Sequence, residues 1–154
     1  MHKVYLSLGT NLGNRKRNIR EAIEKIEELV GVVERQSALY ETKPWGFSSP
    51  NDFINACVLV NTILAPRQLL EATQKIEREM GRVGKSVDGE YHDRIIDIDI
   101  LIYDDLKVNE PDLVIPHPLM EEREFVMIPL KEILQLPLND DGYHQSYRIL
   151  TNQY

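Results

Sequence analysis

The chain has 154 residues of ordinary globular composition, a net charge of -7 and a pI of about 5.1. That length suits one domain over residues 1–154, and the acidic balance excludes the overall basic footprint of a nucleic-acid or anionic-membrane binder. With one cysteine, Cys57, no intrachain disulfide forms, and with no signal segment or apolar stretch of spanning length a reducing cytoplasm is the expected location.

Val4 to Leu8 reads as a strand, and Gly9-Thr10-Asn11-Leu12-Gly13-Asn14 as the turn that follows it. Ile19, Ala22, Ile23, Ile26, Leu29 and Val30 recur at helical spacing and predict an amphipathic helix ending near Gly31. Val32 to Tyr40 is a second, less regular strand. The stretch Thr42 to Pro50, holding the only tryptophan, Trp45, is a loop that is either a ligand cover or ordinary packing.

Phe53 to Ile63 reads as a third strand, with Phe53 and Asn55 on one face and Ile54 and Ala56 on the other. A mid-strand amide such as Asn55 needs hydrogen-bond partners, from backbone or from ligand. Cys57, in the apolar part of this strand, is a small core residue. Pro66 opens a second helix whose stripe is Leu69, Leu70, Thr73, Ile76 and Met80, closed by Gly81, with Gln74 and Glu77 together on another face. The following Gly81-Arg82-Val83-Gly84-Lys85-Ser86 ends like a phosphate loop but has Glu79 where the first glycine belongs and terminates a helix instead of opening one.

Val83 to Asp93 is polar and predicts a mobile loop with Arg82 and Arg94 at its ends, two guanidinium groups suited to phosphate. Arg94 to Tyr103 is a strand carrying Asp97 and Asp99 on one face and Ile96, Ile98, Ile100 and Ile102 on the other. Same-face residues lie about 6.5–7 Å apart at Cα, and aspartate is depleted in strands. Two such carboxylates are either a solvated edge or a site for hard cations, and the pair with Arg94 upstream favours the cation. No cysteine pair or His-x-x-x-His exists for zinc, so oxygen ligands and magnesium are expected. His117, in Ile115-Pro116-His117-Pro118, is a turn residue or a ligand contact. A last helix uses Phe125, Ile128, Leu130 and Ile133.

The element order predicts an α+β fold, a ferredoxin-like βαββαβ core with C-terminal additions and helices packed on an antiparallel sheet. Paired aspartates, flanking arginines and aromatic residues able to take a flat ring suit phosphoryl-type transfer. Two other classes stay open: a metal-dependent phosphodiesterase, distinguished by AMP formation without an acceptor, and a regulatory ligand-binding module, distinguished by lack of magnesium-dependent ATP binding.

Five segments occur in register: Gly9-Thr10-Asn11-Leu12-Gly13, Tyr40-Glu41-Thr42-Lys43-Pro44-Trp45-Gly46, Phe53-Ile54-Asn55, Arg94-Ile95-Ile96-Asp97-Ile98-Asp99-Ile100 and Val114-Ile115-Pro116-His117-Pro118. On these the chain resembles the 6-hydroxymethyl-7,8-dihydropterin pyrophosphokinases of folate biosynthesis. The resemblance implies transfer of pyrophosphate from ATP to the pterin hydroxymethyl group, releasing AMP. It implies two Mg2+ ions on Asp97 and Asp99, Arg82 and Arg94 as catalytic arginines, and Gln74, Glu77, Lys85, His117 and Arg123 on the nucleotide side. Thr42, Trp45, Phe53, Asn55 and Phe125 would bind the pterin. Small-molecule substrates, a monomer, and neither nucleic acid nor membrane as partner are expected. The chain departs from the family in the 83–93 loop, where Gly84 replaces an arginine and Tyr91-His92-Asp93-Arg94 replaces Trp-Gly-Pro-Arg. Tyr91 is then the stand-in for the family tryptophan.

Overall fold

The structure, a computed structural model, describes residues 1–43, 50–81, 95–134 and 148–150. Strand β1 (His2–Thr10) leads through an Asn14-capped turn into helix α1 (Arg15–Leu29). The second strand is interrupted, giving β2 (Gly31–Gln36) and β3 (Leu39–Thr42), before the long β4 (Phe53–Thr62) and α2 (Pro66–Glu79). Strand β5 (Asp97–Tyr103), the hairpin β6 (Val108–Glu110) and β7 (Leu113–Ile115), a 3-10 turn (Met120–Glu122), α3 (Glu124–Ile133) and β8 (Arg148–Leu150) complete the order.

The main sheet is antiparallel throughout and runs β5-β1-β4-β3-β8, with β2 and β3 sharing one side of β4. Helices α1 and α2 bury Ile19, Ala22, Ile23, Ile26, Leu69 and Ile76 against Leu6, Leu8, Ala56, Val58, Ile98 and Ile100. This is the predicted ferredoxin-like arrangement. Helix α3 covers the opposite face, where Val126, Leu130 and Ile133 meet Cys57, Leu59 and Leu101. Among the described residues no helix is long and apolar enough to cross a membrane.

The interruption of the second strand has a local cause. Ser37 N donates to Cys57 O at 2.9 Å, while Ser37 Oγ accepts from Cys57 N at 2.9 Å and donates to Ala38 O at 2.7 Å. A side chain thus replaces one backbone group in the ladder. The Ala38 N–H freed there is taken by the Glu132 carboxylate of α3, at 3.0 and 3.1 Å, and the same carboxylate accepts from Tyr40 Oη. Arg35 adds a bond from Nη1 to Ile133 O at 2.7 Å. Helix α3 is therefore docked by polar contacts at its C-terminal end as well as by apolar burial.

Two sequence expectations are corrected. Gly9 and Thr10 belong to β1 and not to the turn after it. Ile102 does not share the face of Ile98 and Ile100. Register shifts between Tyr5 and Leu6, which pair with Ile102 and Ile100, so Leu101 is an extra residue and everything beyond it changes side. Ile102 joins Tyr5 on the α3 face, and Tyr103 takes its place among the α1 and α2 contacts.

Gly31 opens β2 opposite Thr62. A Cβ there would lie 2.0 Å from Asn61 O, a backbone atom with no freedom to swing away. Gly31→Ala is expected to destabilise the fold by about 1–3 kcal/mol or more, as overpacking does, measured as a lower urea midpoint with an unchanged slope.

Candidate active site

The alternation of three antiparallel strands builds the site floor. Gly9 of β1 pairs with Asp97 of β5 on one side and with Asn55 of β4 on the other, and Tyr40 of β3 pairs with Asn55. Directly opposed residues share a face, so Asp97, Gly9, Asn55 and Tyr40 form one row on the α3 face. The next row is Asp99, Ser7 and Cys57, and Thr42 pairs with Phe53 beyond Asn55. Below these rows α3 seals the same face with Leu101, Leu59 and Tyr5. The face is therefore core at one end and polar site at the other.

Gly9 makes the row usable. A Cβ at Gly9 would lie 3.3 Å from Asn55 Oδ1 and 3.6 Å from Phe53 Cδ1, so both side chains lean over the space that the glycine leaves. Asn55 is buried, and its Nδ2 donates to Thr42 Oγ1 at 2.7 Å, which sets the orientation of the amide. Phe53 is half-buried beside it. The sequence reading missed Gly9 and Ser7 as floor residues. The available signal was a glycine at the end of a run of strand formers, a mark of close approach by another group.

On the other side of Asp97 lies a cleft of about 280 Å3 lined by α2, β5, the β6–β7 turn and the His117 loop. Gln74, Glu77, Asp97, Asp99 and His117 all line it, so five predicted site residues from three segments meet there. Glu77 is buried, and its Oε2 accepts from Ile98 N at 2.8 Å. This caps the free edge of β5 between the two aspartates. His117 N donates to Leu101 O at 3.0 Å further along the strand. Arg67 closes the outer wall by joining α2 to the hairpin turn, with Nη1 2.6 Å and Nη2 3.1 Å from the two Asp112 oxygens.

The His117 ring is oriented by Leu119 N, which donates to Nδ1 at 3.3 Å. That bond puts the imidazole proton on Nε2. Burial, and next the nearby Arg123 guanidinium, hold its pKa below the ordinary histidine value, with Asp97 opposing them. A neutral ring is the result at neutral pH. Arg123 is itself buried, and its Cζ lies 5.7 Å from the centroid of Phe125, so one cation links the histidine side to the aromatic side. Phe125 sits half-buried in the first turn of α3. Pro129, inside that helix, removes the hydrogen bond that Phe125 O would accept.

Asp97 and Asp99 suit a hard divalent cation. Both are half-exposed carboxylates on one strand face, adjoining the cleft. Among the described residues no group of three or more His, Cys, Asp or Glu side chains could hold a metal alone. Magnesium is commonly held by one or two carboxylates and completed by water and substrate phosphates, so the aspartate pair is a donor set that suits it. Arg82, Lys85, Arg94 and Trp45, with Gly84 and Tyr91 of the expected mobile loop, lie outside the described residues.

The family described as 7,8-dihydro-6-hydroxymethylpterin-pyrophosphokinase matches residues 5–135. A 2-amino-4-hydroxy-6-hydroxymethyldihydropteridine pyrophosphokinase of Porphyromonas gingivalis is 50% identical over 131 residues, 84% of this chain and 89% of the relative. The enzyme of the same name from Aquifex aeolicus is 42% identical over 133 residues, covering 86% and 81%. Among solved structures, an HPPK-DHPS crystallised with substrates superposes with a TM-score of 0.70 at 15% identity over 94% of this chain. The chain spans 42% of that larger protein, so the likeness concerns the fold of the matched part. With the family model matching most of the chain and these relatives 50% and 42% identical over most of both chains, the chain belongs to the 7,8-dihydro-6-hydroxymethylpterin-pyrophosphokinase family of ATP-dependent diphosphotransferases.

Proposed function

We propose that the chain transfers the β,γ-pyrophosphoryl group of ATP to the hydroxymethyl oxygen of 6-hydroxymethyl-7,8-dihydropterin in a magnesium-dependent step of folate biosynthesis. The acceptor oxygen bonds to the β-phosphorus, the bond from that phosphorus to the oxygen bridging it to the α-phosphorus breaks, AMP leaves, and the hydroxymethyl proton passes to solvent. The observation that carries this reading is the row Asp97, Gly9, Asn55. Neighbouring strands are about 4.8 Å apart, so a carboxylate for the phosphate-bound cation and an amide for a ring edge stand on either side of one bare glycine.

On this reading the cleft beside β5 takes the nucleotide. Gln74 and the neutral His117 Nε2–H offer hydrogen bonds there, while Arg123 adds fixed positive charge. Glu77 holds β5 in place through Ile98 N. Asp97 and Asp99 would hold magnesium, which when bound neutralises the charge of the triphosphate and favours attack by the acceptor oxygen. On the other side, Asn55 reads the ring edge with a donor and an acceptor, Thr42 fixes its amide, and Phe53 and Phe125 offer aromatic surface to the bicycle. Arg82, Arg94, Lys85 and Trp45 are proposed for the roles the family assigns to them. The two substrates then meet over Gly9, and positioning supplies much of the rate.

The direct test supplies ATP, magnesium and the hydroxymethylpterin and measures AMP. AMP must form only with all three present. Formation without the pterin would identify a hydrolase instead, and no AMP at all would refute the assignment. Asp97→Ala and Asp99→Ala are each expected to reduce turnover about a thousandfold or more, as loss of several kcal/mol of charge stabilisation requires. Their thermal midpoints should be no lower than that of the wild type, because one of two repelling charges is gone.

Asn55→Ala should weaken pterin binding by roughly 1–3 kcal/mol through an unpaired ring group. Gly9→Ala should weaken it as well, since the added methyl meets Asn55 Oδ1 at 3.3 Å. Phe53→Leu should cost about 1 kcal/mol of stability yet lower pterin affinity. Calorimetric titration with a nonhydrolysable ATP analogue already bound reads all three, and ATP-analogue affinity should remain that of the wild type.

A further inference from the structure

Helix α1 begins against its own dipole. Its first three residues are Arg15, Lys16 and Arg17, and its first turn contains no acid. Each cation at an exposed helix N-terminus costs about 0.3–1 kcal/mol. Lys16 and Arg17 are exposed, but Arg15 is turned back toward the sheet. Its Nη2 lies 3.0 Å from Glu41 Oε2, and its Nη1 donates to the backbone O of Asp52 at 2.9 Å. The Arg15 and Glu41 side chains are 32% and 15% exposed, so this pair is screened less than a surface one.

The two acceptors are placed with consequence. Glu41 precedes Thr42 and Asp52 precedes Phe53, and Thr42 and Phe53 are the last register pair of the β3–β4 ladder. One planar guanidinium therefore spans both strands at the rung where Asn55 also bonds Thr42 Oγ1. A second grip comes from Asn11, whose Nδ2 donates to Asn51 O at 3.2 Å. The turn that carries Asn11 and leads into Arg15 is itself tied by Asn18 Nδ2, which donates to Leu12 O at 2.7 Å and Thr10 Oγ1 at 3.1 Å.

We propose that Arg15 is a positioning residue for the ring-binding half of the site. By bridging Glu41 to Asp52 it holds the end of the β3–β4 ladder closed, and so fixes where Thr42 and Phe53 stand and which way the Asn55 amide points. It touches no substrate. The inference rests on the reading of Thr42, Phe53 and Asn55 as the pterin side of the site. Lysine is no substitute, because a single ammonium lacks the flat fork that reaches a carboxylate and a carbonyl in two directions.

The test is a calorimetric titration of the pterin onto protein already holding magnesium and a nonhydrolysable ATP analogue. Arg15→Ala is expected to raise the pterin dissociation constant about ten- to a hundredfold, the scale of small misplacements at a reacting centre, with ATP-analogue affinity unchanged. The double variant Arg15→Ala/Glu41→Gln should bind about as the single variant Arg15→Ala does, since the pairing of Glu41 with Arg15 is already lost there. If Arg15→Ala does not fold, Arg15→Lys must show the same selective loss. A lower melting temperature with wild-type pterin affinity would make Arg15 a brace for stability only and overturn the proposal, as would equal losses for both ligands. Asn55→Ala runs beside these as a control. Wild-type pterin affinity in that variant would overturn the site reading itself, whereas weakened binding there with none in the Arg15 variants would overturn the positioning role alone.

Discussion

The register of β1 between its two neighbours governs the molecule. Every residue of β1 from Leu6 to Thr10 is paired with β4, and those from Leu6 to Gly9 are paired with β5 as well. Because side chains alternate strictly, Leu6 and Leu8 go to the α1 and α2 layer while Ser7 and Gly9 go to the other face. A slip of one residue against β5 would put Asp97 and Asp99 into the apolar layer and expose Ile98 and Ile100. Burial of Ile98 and Ile100 beside Leu6 and Leu8 therefore holds the two carboxylates in place.

That register would leave β5 as a bare edge, and the site is what covers it. A strand edge offers unpaired N–H and C=O groups that invite association. Here Glu77 takes Ile98 N–H and the backbone of His117 takes Leu101 O. Both contacts are made by residues of the cleft, so edge protection and the geometry of the cleft share the same atoms. The Leu101 bulge belongs to this arrangement. It turns Leu101 and Ile102 together toward α3 and closes the apolar part of that face just below the aspartates.

The α3 face divides along a line between Cys57 and Asn55. Toward Cys57 apolar residues dock the helix, with the Glu132 contacts beside them, and toward Asn55 the buried side chains are polar. Arg123 and Phe125 lie at the start of α3, near this division, where a buried cation sits over an aromatic ring. The Arg15 bridge does at the β3–β4 end what Glu77 does at the β5 edge. Each is a charged side chain sent from a helix to hold backbone on which site residues stand.

Much of this was legible in the residues themselves. The two helical stripes, the strand alternation of Phe53 to Ala56 and of Asp97 to Ile100, and the common face of the aspartates all follow from fixed periodicities of 3.6 and 2. Local pattern could also show that Asn55 and the aspartates were unusual in strands and needed partners, whether backbone, solvent or ligand. It could not show that Gly9 lies between them, because strand pairing is a contact across about 50 residues on one side and 90 on the other, and no local pattern encodes the partner. Ser37 and Leu101 disturb the pairing of their strands for tertiary reasons, one by substituting a hydroxyl in the ladder and one by adding a residue to it. The meeting of Gln74, Glu77, Asp97, Asp99 and His117 in one cleft, and of Arg15 with Glu41 and Asp52, likewise exists only after helices and sheet have packed. Periodicity told which way each side chain points, and packing decided what it finds there.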